Sequence, residues 1–335
     1  MISIKDIAKV IGVSPSSVSL TLNGKAKEKR ISDELAKKII ETAQQMGYHP
    51  NSVAVGLRTG KSKTIGLIVE NISNHFFSSL AKIIEDEARK FGYYVVYCST
   101  ENDTGKGQEM IQMLYNHQVD GYLITPVHGM EIDIKKLLDK NRPVVLMDRY
   151  FENLSVPYVV IDNYSGMKSG MDYLIKSGYK EIGFVTVDID LLQIKERERG
   201  YREAIVHHNL KLRETNILKL SYNSSREDFI ASITKFIKNG KGLEAVFFAT
   251  NYLGIYGLRS IKDLGLTIPG DIAMICFDDH DIFELHSPGI TVIKQPINEI
   301  AKEAVNILIG ELGHTTAVSN SEVILQTEII VRAST

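Results

Sequence analysis

A short and mostly polar helix near the start of the chain carries the first residues whose types and spacing suggest a chemical task. The segment from Ser3 to Asn23 predicts two helices joined by a turn at Gly12, with Ser14 capping the second helix. At about 100° per residue, Ser16 and Leu20 share one face of that helix. A helix with such a face needs a surface to lie against, and in a helix-turn-helix that surface is the DNA major groove. Because any helical hairpin has this periodicity, the two helices alone leave DNA binding and a purely structural role equally open.

The segment that follows predicts a small domain of three helices. Ser32 can cap a third helix, and Asp33 and Glu34 place negative charge in its first turn. The helix ends at Gly47, and its core face consists of Leu35, Ile39, Ala43 and Met46. Three helices that close on one core predict a compact headpiece.

Several specific motifs occupy the first 51 residues: Ile4-Lys5-Asp6-Ile7-Ala8, Gly12-Val13-Ser14, Ser17-Val18-Ser19, Leu22-Asn23 and Gly47-Tyr48-His49-Pro50-Asn51. Together they resemble the headpiece of the lactose-repressor/galactose-repressor family of transcription regulators. The resemblance implies binding to a double-stranded DNA operator through Ser14, Pro15, Ser16, Ser17, Leu20, Asn23 and Asn51. It also implies that residues 51–63 form a hinge helix and linker, in which Leu57 acts as a wedge between the central base pairs of the operator.

The charge of the chain is divided unevenly along its length. The formal net charge of the 335 residues is −2, but the first 63 residues carry 11 Lys and Arg against 5 Asp and Glu. The remainder carries a net charge of −8. A small basic segment joined to a larger acidic one is typical of a DNA-binding module attached to a module that binds something else. A chance asymmetry of solvated faces is the alternative.

From residue 64 onward, short apolar strands alternate with amphipathic helices. Eight runs read as strands: TIGLIVE, YYVVYCST, GYLITPV, PVVLMD, VVID, IGFVTV, AVFFATN and IAMICFDD. Amphipathic stretches lie between most of them, at residues 77–91, 106–115, 164–176 and 253–264. This alternation predicts an α/β fold with parallel sheets that are covered by helices on both faces.

Landmarks in this region include Asn74-His75-Phe76-Phe77, Asp162-Asn163, Arg197-Glu198-Arg199-Gly200-Tyr201, Phe277-Asp278-Asp279 and Gln295-Pro296. They resemble the two-lobed type I periplasmic-binding-protein fold of the same regulator family. The resemblance implies a helix-turn-helix headpiece at 1–50, a hinge helix and linker at 51–63, and an effector-binding and dimerisation core at 64–335. Within the core, we expect residues 64–161 and 292–321 in lobe one, and residues 162–291 and 322–332 in lobe two. Residues 322–332 are expected to form one final strand.

Polar side chains follow several of the predicted strands, at the edge where parallel sheets bind ligands. Carboxylates, a guanidinium and amides suit a polyhydroxylated ligand, because each hydroxyl group both donates and accepts a hydrogen bond. Phe76 and Phe77 are able to stack on a sugar or base, although Phe77 suits the core equally well. The effector site predicted from these residues and from the family resemblance consists of Asn74, Phe76, Phe77, Asp148, Arg197, Asn251 and Asp278. Family members usually have Asp where this chain has Tyr252.

Enzymatic and metal-binding alternatives find little support in the sequence. The G-x-S-x-G, H-E-x-x-H and C-x-x-C motifs do not occur. His207 and His208 would point about 100° apart on a helix, so they do not suit a shared metal ion. Cys98 and Cys276 lie in apolar runs, which predicts buried, reduced thiols. We therefore predict a protein that is not an enzyme and holds no metal or cofactor.

These features and the family resemblance predict a sequence-specific transcription regulator that binds a palindromic operator as a homodimer and responds to a sugar-like small molecule. Because members of the resembled family are usually repressors, we expect a repressor. No apolar targeting segment or membrane span occurs in the sequence, which predicts a cytoplasmic protein. A solute-binding protein without a regulatory role is the alternative, but it would require an export signal. Whether the effector acts as an inducer or as a co-repressor stays open at this point.

Overall fold

Two compact units make up the protein, Met1–Ser62 and Lys63–Thr335. The structure is a computed structural model that describes residues 2–48, 60–314 and 322–335. Among its described residues, the first unit has three helices: α1 (Ile4–Ile11), α2 (Pro15–Leu22) and α3 (Asp33–Gln45). Within the described ranges, no helix combines the length and the apolar character that crossing a bilayer requires.

Serine side chains cap all three helices of the first unit, and the caps predicted at Ser14 and Ser32 are confirmed. The backbone N–H of Asp6 donates to the Ser3 hydroxyl, and the backbone N–H of Ser3 donates to the Asp6 carboxylate at 2.8 Å. Ser14 and Ser32 cap α2 and α3 by accepting from the backbone N–H three residues further on. Gly12 ends α1 with a φ of +79°, a left-handed conformation that favours glycine.

The core of the first unit lies where the three helices meet. It is formed by Ile7, Ala8, Val18, Ile39 and Ala43. On α2, Val18 and Thr21 are buried while Ser16 is exposed. The predicted three-helix headpiece is therefore confirmed, with the serine-bearing face of α2 turned away from its own core.

Twelve strands lie in the described ranges of the second unit, 63–314 and 322–335. These are β1 (Thr64–Val69), β2 (Tyr94–Ser99), β3 (Gly121–Ile124), β4 (Val144–Met147), β5 (Tyr158–Ile161), β6 (Ile182–Asp188), β7 (Ile217–Ser221), β8 (Ala245–Phe248), β9 (Ala273–Phe277), β10 (Thr291–Lys294), β11 (Glu322–Leu325) and β12 (Glu328–Ile330). Nine α-helices are described with them: α4 (His75–Lys90), α5 (Thr104–Asn116), α6 (Glu131–Asp139), α7 (Asn163–Lys176), α8 (Leu192–His207), α9 (Arg226–Asn239), α10 (Asn251–Asp263), α11 (Asp281–Leu285) and α12 (Ile297–Glu311).

Two six-stranded sheets define the two lobes. Lobe one has the strand order β11-β5-β4-β3-β1-β2, and lobe two has the order β12-β10-β9-β8-β6-β7. All pairs are parallel except β10 with β12. The strands are mostly buried on both faces because helices cover both sides, as the continuous apolar runs predicted. The predicted two-lobed, parallel α/β core is confirmed.

The strand pairings correct the predicted lobe boundaries at two places. β10 pairs with β9 in lobe two, so residues 292–294 do not belong to lobe one. β11 pairs with β5 in lobe one, and only β12 lies in lobe two, so residues 322–332 are not one strand. The chain therefore passes between the lobes three times, after β5, after β10 and after β11. Strands β7 and β10 were not among the runs predicted as strands.

The helix pair α7 and α8 packs at very short range in lobe two. A Cβ atom on Gly200 would lie 2.8 Å from the Tyr164 carbonyl oxygen and 2.9 Å from the Met167 Cβ atom. Only glycine permits this approach, which brings the middle of α8 against the start of α7. The two cysteines, Cys98 and Cys276, are both free and buried, as predicted.

Candidate ligand-binding cleft and nucleic-acid interface

The residues predicted to contact DNA cluster on α2 and at its two ends. The exposed ones are Ser14, Pro15, Ser16 and Asn23, and the half-buried ones are Ser17 and Leu20. The Ser14 and Ser17 hydroxyl oxygens lie 2.9 Å apart, and the Asn23 amide donates to the Ser19 carbonyl oxygen. The predicted contacts at Asn51 and Leu57 fall outside the described residues.

A cavity of about 50 Å³ lies between the two lobes, beyond the carboxyl ends of their strands. The structure brings together six of the seven predicted effector residues in its lining: Asn74, Phe76, Phe77, Asp148, Arg197 and Asp278. Asn251 lies beside the cavity, and its amide nitrogen donates to the Asn74 side-chain oxygen at 3.1 Å. The two phenylalanines are each 5% exposed and also belong to the hydrophobic core.

Asp148 and Asp278 occupy equivalent positions in the two lobes. Asp148 directly follows β4 and Asp278 directly follows β9, the third strand from the corresponding edge of each sheet. Both have a left-handed backbone conformation, with φ of +67° and +71°. Aspartate tolerates this region better than most residues. The turn aims both carboxylates into the cleft.

Arg197 is held by contacts within lobe two. It lies on α8, where its Nε donates to the Asn163 side-chain oxygen at 2.8 Å and its Nη1 donates to the Ala249 carbonyl oxygen at 2.7 Å. The guanidinium lies flat against the Phe277 ring, 3.7 Å from its centroid. Its Nη1 is also 3.7 Å from Asp278 Oδ2. The side chain is therefore a buried cation with a fixed orientation.

Asp278 is a buried carboxylate with two stabilising neighbours. Burial raises the pKa of its carboxyl group, while Arg197 and a 2.5 Å hydrogen bond from the Gln295 amide oppose that rise. Both neighbours favour the charged form that the desolvated site disfavours. The three side chains act as one unit.

A second buried ion pair stands on the lobe-one side. The Arg149 guanidinium donates to Glu70 Oε2 at 2.5 Å and to Asn102 Oδ1 at 3.1 Å, and its Nε lies 3.3 Å from Asp148 Oδ2. Arg149 is buried, and the Asp148 side chain is 9% exposed. This side of the cleft therefore holds two carboxylates against one guanidinium.

Asp148 should make the stability of the core depend on pH. Burial raises the pKa of its carboxyl group to about 6, Arg149 lowers it, and Glu70 raises it further. The protonated form is thus favoured by folding. The stabilisation is present below the unfolded pKa of 3.8 and is lost as the pH rises through about 6. As the pH rises from about 4 to about 7, the wild type should lose up to about 3 kcal/mol of unfolding free energy relative to Asp148→Asn.

Denaturant titrations of both proteins across this pH range measure that difference. Asp190→Asn is the control, because Asp190 is an exposed partner of Lys195. A difference between Asp148→Asn and wild type that stays constant with pH would contradict a carboxyl pKa near 6.

Within the described part of the chain, three side-chain hydrogen bonds cross the cleft between the lobes. The Tyr222 hydroxyl donates to Glu70 Oε1 at 3.1 Å, and the Gln193 amide donates to Asp148 Oδ2 at 3.2 Å. The third is the contact between Asn251 and Asn74 described above. Tyr222 and Gln193 were missed by the sequence analysis. Tyr222 follows β7, a strand that was not predicted, and its place at a strand end is the signal that would have found it.

Gln193 brings an acceptor without a protein partner to the cavity. The residue is 6% exposed, and its Oε1 atom has no hydrogen-bond partner among the described residues. A buried amide oxygen left unpaired costs about 1–3 kcal/mol. A donor in the cavity, such as a hydroxyl group, would remove that cost.

Comparisons with known proteins agree with this architecture. The family model described as "Bacterial regulatory proteins, lacI family" matches residues 3–51, and the "Periplasmic binding protein-like domain" model matches residues 171–335. Catabolite control protein A of Priestia megaterium is 29% identical over 335 residues, with 100% of this chain and 99% of the relative covered.

Two solved structures show the same fold. The lac repressor dimer bound to operator and the anti-inducer ONPF has a TM-score of 0.85 at 18% identity, with 99% of this chain and 98% of that chain covered. A periplasmic binding protein/LacI transcriptional regulator from Alkaliphilus metalliredigens, complexed with D-xylulofuranose, has a TM-score of 0.69 at 26% identity, covering 82% and 99%.

The headpiece match decides between the two classes that the sequence left open. A solute-binding protein needs only the two-lobed core, whereas this chain also contains the DNA-binding domain of the regulators. A regulatory role is therefore favoured over solute binding alone. The chain contains the DNA-binding domain of the lacI family and a periplasmic-binding-protein-like domain, and it is similar to transcription regulators of that family over its whole length.

Proposed function

We propose that the protein is a repressor that binds an approximately palindromic operator as a homodimer, and that an uncharged sugar in the inter-lobe cleft controls it. The observation that carries the proposal is the cavity between the lobes, where carboxylates, amides and a fixed guanidinium converge beside two phenylalanines. The function is non-enzymatic, and because its target is DNA we place it in the cytoplasm. The relative from Alkaliphilus metalliredigens, which was solved with a sugar, supports this ligand class.

The charge of the cavity favours an uncharged ligand over a phosphorylated one. Its lining holds three carboxylates, Glu70, Asp148 and Asp278, and one guanidinium, Arg197. Arg149 stands behind Glu70 and is already paired with it. An anionic ligand would meet an excess of negative charge in a desolvated site, which is strongly unfavourable. Hydroxyl groups would instead donate to the carboxylates and to the Gln193 oxygen.

Ligand control can act through the contacts that cross the cleft. A ligand that replaces the bonds of Glu70 with Tyr222 and of Asp148 with Gln193 changes the relative stability of the closed and open lobe arrangements. Lobe one is joined to the preceding chain at Lys63, whose backbone N–H donates to Asp120 at 3.0 Å. Coupling between linked sites is typically about 1–3 kcal/mol, which corresponds to roughly a 5- to 150-fold change in operator affinity.

Selection of bound sequences from a random duplex pool tests the DNA half of the proposal. We expect enrichment of an approximate palindrome, because two headpieces related by a two-fold axis read two half-sites. Enrichment of a single half-site, or a monomer at micromolar concentration, would contradict it.

The selected operator then serves for the ligand half. Operator affinity is measured with neutral sugars and with their 6-phosphates at equal concentration. We expect at least one neutral sugar to change the affinity and its phosphate to have no effect. A response to the phosphates alone would contradict the uncharged ligand class while leaving the regulator itself intact.

Leu20 should determine one base pair in each half-site. Pro15 has no side-chain donor, so direct readout is expected to be sparse, with Ser16 at a base edge and Leu20 against a thymine methyl group. Leu20→Ala should relax the preference at that base pair by about 1–3 kcal/mol. The measurement is the binding-site profile of the variant. Ile40→Ala on α3, also a half-exposed aliphatic residue, is the control; a Leu20→Ala profile identical to the control would refute the contact.

A further inference from the structure

The cleft has an outer chamber that is much larger than the inner cavity. This chamber has a volume of about 310 Å³, compared with about 50 Å³ for the inner one. Glu70, Asn74, Tyr222 and Tyr252 line both, so the two spaces share a wall. Ligand pockets usually measure roughly 300–1,000 Å³. The outer chamber is within that range without the inner cavity being counted.

Aromatic rings line the lobe-two side of the outer chamber. Tyr252 and Tyr256 lie one turn apart on α10, with ring centroids 6.1 Å apart. Phe229 stacks on Tyr256 at 5.6 Å and contacts Tyr252 edge-on at 6.1 Å, so it backs both rings from the core side. Tyr222 completes this wall. The rings are held in place by one another, which reduces the entropy that a ligand must remove on stacking.

Polar groups of lobe one face these rings. Asn71 and Ser73 lie in the loop after β1, where the Ser73 backbone N–H donates to Asn71 Oδ1 at 2.8 Å. Burial raises the pKa of the Tyr222 and Tyr252 phenols, so both hydroxyl groups keep their protons and can donate. An aromatic wall opposite amide and hydroxyl groups matches a pyranose ring, which has apolar C–H faces and a polar rim.

We propose that Asn71, Ser73, Tyr222, Tyr252 and Tyr256 form an outer subsite for a second sugar ring, so that the effector contains at least two linked sugar units. This inference rests on the proposed sugar effector and adds the number of sugar units that the effector contains. The inner cavity binds the first unit through Asp148, Asp278 and Gln193. The outer subsite stacks the second unit on Tyr252 and Tyr256.

The test uses the full chain and matched sugar pairs. Glucose, xylose and N-acetylglucosamine are each compared with their 1,4-linked disaccharides, α-linked maltose being included, by isothermal titration and by thermal shift. Stacking of one further ring should make the disaccharide of at least one pair bind roughly tenfold more tightly than its monosaccharide.

Variants of Tyr256 separate the two subsites, because this residue lines only the outer chamber. Tyr256→Leu keeps an apolar side chain without a flat ring and should remove the disaccharide preference while leaving monosaccharide affinity unchanged. Tyr256→Phe should retain the preference, and Arg259→Ala, an exposed change on the same helix, should have no effect.

The possible outcomes distinguish the subsite from the function beneath it. Equal affinity for both members of every pair that binds, or an equal loss of both in Tyr256→Leu, would overturn the outer subsite while leaving the sugar effector standing. If no sugar changes either stability or operator affinity, the sugar effector itself is wrong, and the subsite with it.

Discussion

Arg197→Ala is expected to lower the unfolding free energy of the core by about 3–5 kcal/mol, the usual cost of removing one partner of a buried ion pair. The variant leaves the Asp278 carboxylate with Gln295 as its neighbour and removes the donor to the Ala249 carbonyl oxygen. It also exposes a face of the Phe277 ring to a void. Equilibrium denaturation in urea measures the change.

Arg199→Ala is the matched control, because Arg199 lies on the same helix but is half-exposed and paired with Glu196 at the surface. That variant should lose no more than about 1 kcal/mol. The double variant Arg197→Ala/Asp278→Asn should recover part of the loss, since it no longer buries an unpaired charge. Equal stabilities of Arg197→Ala and Arg199→Ala would show that the buried network contributes nothing.

Arg197→Ala should also abolish the response to the metabolite, at temperatures where the variant is folded. If the ligand is an inducer, operator binding without ligand stays near the wild-type value. If it is a co-repressor, the variant fails to bind the operator at any ligand concentration. Operator affinity titrated against ligand distinguishes these cases. A wild-type response would remove Arg197 from the effector site.

Leu57→Ala should reduce specific operator binding by roughly 100-fold and leave non-specific binding largely unchanged. The segment around Leu57 has weak helix propensity, so ordering it as a helix costs free energy. Intercalation of the leucine at a kinked operator centre would compensate that cost. Non-specific binding depends on the basic residues of the headpiece, which the change does not touch.

Competition binding at two salt concentrations measures both affinities. Val53→Ala, an aliphatic truncation in the same segment, is the control. A parallel loss of specific and non-specific affinity in Leu57→Ala would assign the residue to general folding of the segment and not to a wedge.

The helices of the first unit were predictable because their ends carry local sequence signals. Ser3, Ser14 and Ser32 cap the three helices, and Gly12 ends the first one. In the core, continuous apolar runs predicted the buried strands. The apolar runs did not predict the end of the chain correctly. The sequence of β11 and β12 suggests one strand, because no Gly or Pro interrupts it at residues 326 and 327. Their assignment to two sheets depends on β5 and β10, which lie elsewhere in the chain.

The candidate site shows the same division. Asp148, Arg197 and Asp278 were predictable because they follow strands or occupy a family motif. Gln193 lies in the first turn of α8, which carries no strand-end signal, and its partner Asp148 belongs to the other lobe. Tyr222 follows an edge strand whose apolar run is interrupted by Lys219. Contacts that form only when two lobes meet leave no periodic trace in either segment.

The three passages of the chain between the lobes impose an order on biosynthesis. The headpiece helices are complete once residue 45 has been made, so this unit can fold while the rest is still being synthesised. Both lobes, in contrast, wait for residues 322–330, which supply β11 to one sheet and β12 to the other. A premature stop before this segment would therefore leave a competent headpiece attached to two sheets with unpaired edges. Such a fragment is prone to aggregation, so a single late truncation would damage both lobes at once.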